Sequence, residues 1–266
     1  MPLVNELVGL IPAAGLAKRI SPLPGSKELF PIGFREIKVD GQIRLMPKVV
    51  SQYLLDNLFQ AGVQKLWLVL GKGKWDIMDY YGDGSQLGGQ IAYLLMDKLW
   101  GMPYTLDRAY SWVKNSTVLF GMPDTIFTPS DTFVQLLARH RETRADVTLG
   151  IFSTDRPYKL SPVTLTASGQ VLDIVDKPAQ TDVMNTWGCA CWEPSFTELM
   201  HTYLSAKIPT QQETTLTDVF QAAMTAGLSV RGVHFTHGEY IDVGTPDDLV
   251  QAVHRFSKVS TEDPSF

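Results

Sequence analysis

The chain has 266 residues, 44% of them apolar and 19% charged, with a formal net charge of −5. That length can bury a full core in an ordinary soluble composition, and the acidic balance argues against a nucleic-acid binder relying on a general basic surface. No apolar stretch reaches membrane-span length, and the N-terminus lacks a basic region leading into a long apolar core. A cytoplasmic protein with neither nucleic-acid nor membrane partners is expected.

Strand and helix patterns alternate along the chain. Leu7–Pro12 reads as an apolar strand, Pro47–Ala61 as a helix stopping at Gly62, and Val63–Leu70 as a strongly apolar strand. A short helix at Ile77–Tyr81, a strand at Gln90–Leu95, a helix over Tyr104–Val113 and a strand at Ser116–Gly121 follow. Ser130–Thr143 reads as a helix opening at a serine cap, and Ala145–Phe152 as another buried strand. Near-continuous apolar strands separated by helices predict a mainly parallel sheet covered on both faces. After Phe152 the pattern becomes a hairpin over Leu160–Val175 turning at Ser168-Gly169, then a strand at Trp187–Trp192. Helices around Ser195–Ser205 and Leu216–Ala226, a strand at Leu228–Phe235 and a last helix after Thr245-Pro246 complete the reading. One domain over residues 1–259 and a polar tail from Ser260 are expected.

Cys189 and Cys191 are the two cysteines. Their spacing puts both on one strand face with no metal-ligand cluster nearby, so they read as buried thiols. The five histidines are scattered, and neither H-E-x-x-H nor G-x-S-x-G occurs, which argues against zinc and serine hydrolases.

The chemistry-bearing residues lie at the two ends of the chain. In Gly9–Gly33 a short apolar run ends in a small-residue turn, Ala13-Ala14-Gly15-Leu16-Ala17-Lys18-Arg19, and Lys27 precedes the apolar run Leu29–Ile32. Small residues let backbone N–H groups approach phosphate oxygens, and Arg19 and Lys27 add positive charge. The pattern is neither the Walker loop nor the dinucleotide fingerprint. Asp124 follows the strand Val118–Gly121, and a carboxylate just past the carboxyl end of a strand occupies the usual ligand crevice of an α/β sheet. Asp242 precedes Gly244 in Tyr240–Pro246. Two such carboxylates could hold Mg²⁺ against a triphosphate.

Taken in order, these segments resemble the sugar-1-phosphate nucleotidyltransferases, the glucose-1-phosphate thymidylyl- and uridylyltransferase group, across roughly residues 7–255. AAGLAKRI is similar to the family's A-G-G-x-G-T-R-L, and SKELFPI to its S-K-x-L-L-P-I. Gly82–Gly88 resembles its G-D-G-S-x-x-G stretch, Asp176-Lys177-Pro178 its E-K-P, Leu216–Asp218 its T-D helix start, and Tyr240–Pro246 its W-L-D-T-G-T. The resemblance implies a single Rossmann-like α/β domain of glycosyltransferase A-type architecture with a mainly parallel mixed sheet. It implies that Ala14, Gly15, Lys18, Arg19 and Gly88 bind nucleotide and that Lys27 sits near the reacting α-phosphate. Asp176, Lys177 and Gly188 would contact the sugar phosphate, and Asp124 and Asp242 would ligate Mg²⁺.

Three departures stand out. Ala17 replaces a loop glycine, Met122-Pro123 separates Asp124 from Gly121, and Gly101–Leu106 replaces the family's G-x-A-x-A base-reading segment. The chain also ends near residue 266, short of the helical extension of longer bacterial thymidylyltransferases, whose tetramer contacts and allosteric site are therefore not expected; homo-oligomerisation stays open. The expected reaction is in-line displacement between a nucleoside triphosphate and a sugar 1-phosphate. The alternatives are a catalytically silent homologue that binds nucleotide or sugar phosphate and, last, a glycosyltransferase, which would want a D-x-D motif near Asp124.

Overall fold

Neighbouring residues of the central strands point to opposite faces that are equally apolar, so the strands are buried on both sides. Leu10 and Phe120 pack into one core while Ile11 and Leu119 pack into the other. The computed structural model describes residues 5–207 and 213–256. The expected polar tail lies outside them.

Strand β1 (Glu6–Ala13) is followed by a hairpin, β2 (Pro31–Val39) and β3 (Gln42–Val49), then α1 (Val50–Gln60), β4 (Lys65–Gly71), α2 (Trp75–Tyr81) and β5 (Gln90–Met96). Next come α3 (Met102–Asp107), α4 (Tyr110–Val113), β6 (Ser116–Gly121), β7 (Thr125–Thr128), α5 (Thr132–Thr143) and β8 (Val147–Ser153). The remaining elements are β9 (Val163–Leu165), β10 (Val171–Ile174), β11 (Asn185–Trp192), α6 (Pro194–Ser205), α7 (Leu216–Thr225), β12 (Val230–Phe235), β13 (Glu239–Asp242) and α8 (Pro246–Phe256).

Among the described residues seven strands form the central sheet, in the order β12-β8-β11-β6-β1-β4-β5. All neighbours are parallel except at β11, which runs antiparallel to both β6 and β8. One face is covered by α3, α4, α6 and α7 through Leu106, Val113, Phe196 and Phe220. The other is covered by α1, α2 and α5 through Leu54, Leu58, Ile77, Phe133 and Leu136. A third, small core of Ile32, Val50, Ile126, Val243 and Ala252 ties the root of β2 to β7, the Asp242 loop and α8. The fold is the expected single α/β domain with a mixed, mainly parallel sheet. Because the parallel strands share one direction, the loops leaving β1, β4, β5 and β6 emerge along one edge.

The structure departs from the sequence expectations in three places. The hairpin β2–β3 was not foreseen, and it takes up the first residues of the helix expected from Pro47. Its turn, Asp40-Gly41, has φ of 52° and 79°, the paired positive values of a type I′ hairpin. Asp-Gly between alternating residues was thus a legible signal. The helix expected over Tyr104–Val113 is broken into α3 and α4. Helix α5 starts at Thr132 rather than at a serine cap; its N-cap residue, Asp131, makes no side-chain capping bond. Helix α7, by contrast, opens with a full capping box between Thr215 and Asp218. Both cysteines are free and buried on the α1–α5 face, as expected. Among the described residues no helix is long and apolar enough to cross a membrane.

Candidate active site

Four segments remote in sequence meet beyond the carboxyl ends of β1, β5 and β6. The first is the loop after β1. Ala17 stands there at φ 50°, a left-handed conformation that costs a residue with a Cβ roughly 1 kcal/mol. Its carbonyl accepts the N–H groups of Ile20 and Ser21 at 3.1 Å and the Ser21 hydroxyl at 2.9 Å, which hold the turn closed. The backbone bend is therefore kept with alanine in place of glycine. Ala14, Gly15, Lys18 and Arg19 form one wall of a cleft of about 630 Å³.

Lys27 and the two acids form the floor. Lys27 lies on a single 3₁₀ turn, Lys27–Leu29, and its ammonium donates to the Asp124 carboxylate. Met122 and Pro123 do not displace Asp124 from the cleft, because Thr125 N–H bonds back to the Met122 carbonyl at 3.1 Å. The backbone carbonyl of Asp124 then accepts the Val243 N–H at 2.9 Å. Strands β7 and β13 pair antiparallel with Asp242 opposite Thr125, which sets the two carboxylates side by side. Arg19 completes the cluster. A Cβ on Gly244 would sit 2.7 Å from Arg19 Nη2 and 2.8 Å from Asp242 Oδ1, so a side chain there would make the tips of both groups shift.

The electrostatics follow from this crowding. Burial and the neighbouring Asp124 charge push the Asp242 carboxyl up to about 6, with Lys27 and Arg19 offsetting part of the rise. Burial, the largest influence, would lower Lys27, but the Asp124 carboxylate together with Glu28 and Asp242 outweighs it and the ammonium is held above its ordinary range. Two adjacent carboxylates are hard oxygen donors whose repulsion a divalent cation relieves, so the pair fits Mg²⁺. Among the described residues no cluster of three or more metal-ligating side chains occurs, so such an ion would draw the rest of its shell from water or phosphate oxygens.

The remaining wall is the segment after β5. Leu99, Trp100, Gly101 and Met102 line the cleft with Thr105, and Trp100 is 44% exposed. Gly101 has φ 111°, and a Cβ there would lie 2.6 Å from the Thr214 carbonyl oxygen, so the lead-in to α7 pins this segment.

Asp176 and Lys177 lie on the same edge of the sheet but outside the cleft walls. Ser161 Oγ donates to Asp176 Oδ1 at 2.7 Å, and Lys177 N–H donates to the Leu160 carbonyl at 2.8 Å, both beside the first residues of β11. The Lys177 side chain is largely exposed. Gly188 and Gly88 are not brought to the cleft. Gly188 is buried within β11, where a Cβ would lie 2.5 Å from Tyr240 Cδ2; the glycine lets β13 cross over the sheet. Gly88 caps a turn before β5, at the opposite edge of the sheet. The seven residues of β5 put roughly 20 Å between them and the cleft.

Sequence reasoning missed Glu28, Lys74, Asp76, Trp100 and Glu213. Glu28 and Glu213 line the cleft with Trp100, whereas Lys74 and Asp76 hold the Lys27 turn from outside. Lys74 and Asp76 lie where the connection from the carboxyl end of β4 opens α2, a position that could have marked them.

A mixed α/β sheet with a cationic small-residue loop, a poised lysine and two convergent carboxylates at its carboxyl edge has the anatomy of a nucleotide-handling transferase. The chain belongs to the nucleotidyl transferase family, whose model matches residues 8–258. It is 21% identical over 248 residues to the low-salt glycan biosynthesis nucleotidyltransferase Agl11 of Haloferax volcanii, covering 92% of this chain and 64% of that protein. It is 26% identical over 263 residues to a glucose-1-phosphate thymidylyltransferase of Streptomyces griseus, covering 95% of this chain and 66% of that one. The chain thus spans slightly less than two thirds of the length of these relatives. The UTP–glucose-1-phosphate uridylyltransferase AglF of H. volcanii is 22% identical, with 94% and 96% covered. Among solved structures, a Bacillus anthracis protein described as a glucose-1-phosphate thymidylyltransferase, crystallised with sucrose, superposes with a TM-score of 0.81 at 18% identity, over 97% of this chain and 98% of that one. A UDP-glucose pyrophosphorylase holding UDP-glucose superposes with a TM-score of 0.76 at 19% identity, over 94% and 98%. The fold is shared.

Proposed function

We propose that the protein joins a sugar 1-phosphate, a hexose 1-phosphate in the first instance, to a nucleoside triphosphate, giving a nucleotide-sugar and pyrophosphate. The observation that carries this reading is the convergence of Arg19, Lys27, Asp124 and Asp242 on one edge of a nucleotide-sized cleft. A phosphate oxygen of the sugar 1-phosphate attacks the α-phosphorus. The new P–O bond forms as the bond to the bridging oxygen breaks, and pyrophosphate leaves with that electron pair. The attacking phosphate is already ionised at neutral pH, so no general base is required.

The chain's own residues then orient the reactants and neutralise charge. Backbone N–H groups of the Ala14–Lys18 loop and the Lys18 and Arg19 cations receive the β- and γ-phosphates. Lys27, already held against Asp124, meets the α-phosphate. Lys177 pairs with the sugar phosphate, and Asp176 accepts hydrogen bonds from sugar hydroxyls. The base lies against Leu99–Met102, where the exposed face of Trp100 is available for stacking. Asp124 and Asp242 are the residues that would hold Mg²⁺, which supplies charge neutralisation of the phosphates when bound.

The departures that favoured a silent binding protein lose their weight. Ala17 keeps the positive φ a glycine would supply, and Asp124 reaches Lys27 despite Met122-Pro123. The test is pyrophosphate release with Mg²⁺, each common nucleoside triphosphate and a panel of sugar 1-phosphates. Release that requires one specific pair supports the transferase and identifies both substrates. Saturable binding without release from any pair favours the silent homologue.

A further inference from the structure

Lys27 is carried by a three-residue turn, and a long lysine side chain on so short an element has much rotamer freedom to lose. The residues on either side of it are nevertheless tied down. Ser26 donates both its N–H and its hydroxyl to the Asp76 carboxylate, at 2.6 and 2.7 Å. Glu28 accepts two hydrogen bonds from the Lys74 ammonium, at 2.5 and 2.6 Å, and its carboxylate is 2% exposed. The Glu28 carbonyl takes a third bond, from the Ser51 hydroxyl at 2.6 Å. Lys74 and Asp76 both come from the short connection that leaves β4 and opens α2. One rigid strand end therefore grips the lysine turn on both flanks.

Stability does not account for this arrangement. Desolvating two charges offsets most of their mutual attraction, and a buried ion pair is commonly no better for stability than apolar side chains of similar volume. Burial in fact raises the Glu28 carboxyl above its ordinary range despite Lys74 beside it. What the pair does supply is directional: charge-assisted bonds of fixed geometry at the residue next to Lys27. Displacing a charge-bearing group by about 1 Å can cost a reaction of order 100-fold.

We propose that Glu28, Lys74 and Asp76 form a clamp of positioning residues that holds the Lys27 ammonium in register at the edge of the cleft. The catalytic half of this inference rests on the transferase reading; the geometric half does not. The clamp acts through Lys27, so its loss lowers turnover and leaves nucleotide affinity nearly unchanged.

The experiment compares the full chain with the double variant Glu28→Gln/Lys74→Met, which removes both buried charges together, and with Asp76→Ala, which leaves that pair intact. Turnover, nucleotide KM, thermal midpoint and the rate of Lys27 acetylation by an N-hydroxysuccinimide ester, read by mass spectrometry, are measured on each. The expected result for the double variant is a fall in kcat of about tenfold or more, with KM within about twofold and the thermal midpoint little changed. Lys27 acetylates several-fold faster in both variants, and Asp76→Ala has the smaller effect on kcat. Wild-type kcat and acetylation rate in the double variant would overturn the clamp. If the wild-type protein turns over no substrate, the transferase reading fails, and the acetylation rates alone decide the clamp: faster labelling supports it and an unchanged rate overturns it.

Discussion

Two polar clusters sit at opposite edges of the same sheet and are built on opposite plans. At the amino edge, Glu193, just past β11, accepts from Asn5 at 2.9 Å and from Thr117 at 3.1 Å, and bonds to His140 at 3.0 Å. His140 is itself buried, and its other ring nitrogen bonds to the Thr148 hydroxyl at 2.8 Å. Each of these groups has a partner, and the His140 bond, with burial opposing it, brings the Glu193 carboxyl below its ordinary range. At the carboxyl edge two carboxylates crowd together, one is pushed up to about 6, and the cations face a cavity. A network whose groups are all paired away from any cavity stabilises; one that crowds like charges beside a cavity is ready to exchange its partners for a ligand's. The contrast separates what holds the molecule together from what it is built to do.

The sharpest way to break the comparison is Arg19→Ala. Removing a preorganised cation from the carboxyl edge should lower kcat/KM roughly 100- to 1,000-fold while leaving the thermal midpoint nearly unchanged. Steady-state kinetics beside a melting curve checks both halves, and near-normal turnover would remove Arg19 from the mechanism.

Asp242→Asn comes next, and it should move activity and stability in opposite directions. An unfolded aspartate ionises near 3.8, whereas Asp242 in the fold keeps its proton to about 6. Between those values the folded state binds more protons, so this group's contribution falls as pH rises through the window and stays unfavourable above it. In chelator, the asparagine variant should therefore be more stable at pH 7.5 by at most about 3 kcal/mol, with the gain vanishing below about pH 4. Denaturant unfolding across pH 4–8 measures this. Glu193 has the reverse sign. Its lowered carboxyl contributes stability above the ordinary range that is lost as pH falls through its folded value.

His140→Ala attacks the other edge. It opens a hole beneath α5 and takes a partner from Glu193, for a loss of about 2–3 kcal/mol, with turnover per folded molecule preserved. A drop in kcat at unchanged folded fraction would mean that the two edges communicate. The smallest effect is expected for Gly88→Ala. Its φ of 81° makes a Cβ cost about 1 kcal/mol of stability, and its distance from the cleft should leave nucleotide KM untouched. A raised KM would return Gly88 to the binding site.

The chain's periodicity determined the sheet and its layering. Runs such as Val8–Ile11 and Val118–Phe120 are apolar on both faces, and only a sheet covered on both sides accommodates that. The phosphate loop was legible too, because phosphate-binding backbone demands small residues and fixed cations, and the order of the other motifs was legible through the family resemblance. What the one-dimensional pattern could not carry was adjacency between distant segments. The pairing of Asp242 with Thr125, which aligns the two acids, is a register across more than a hundred residues. The grip of Lys74 and Asp76 on the Lys27 turn is set by where β4 ends beside β1. Gly88 and Gly188 are the converse: glycines in motif-like settings that the fold places at a capped turn and at a strand crossing, away from the cleft walls. Side-chain chemistry is written residue by residue, but which charges share a cleft depends on strand order and register, and those exist only once the core has packed.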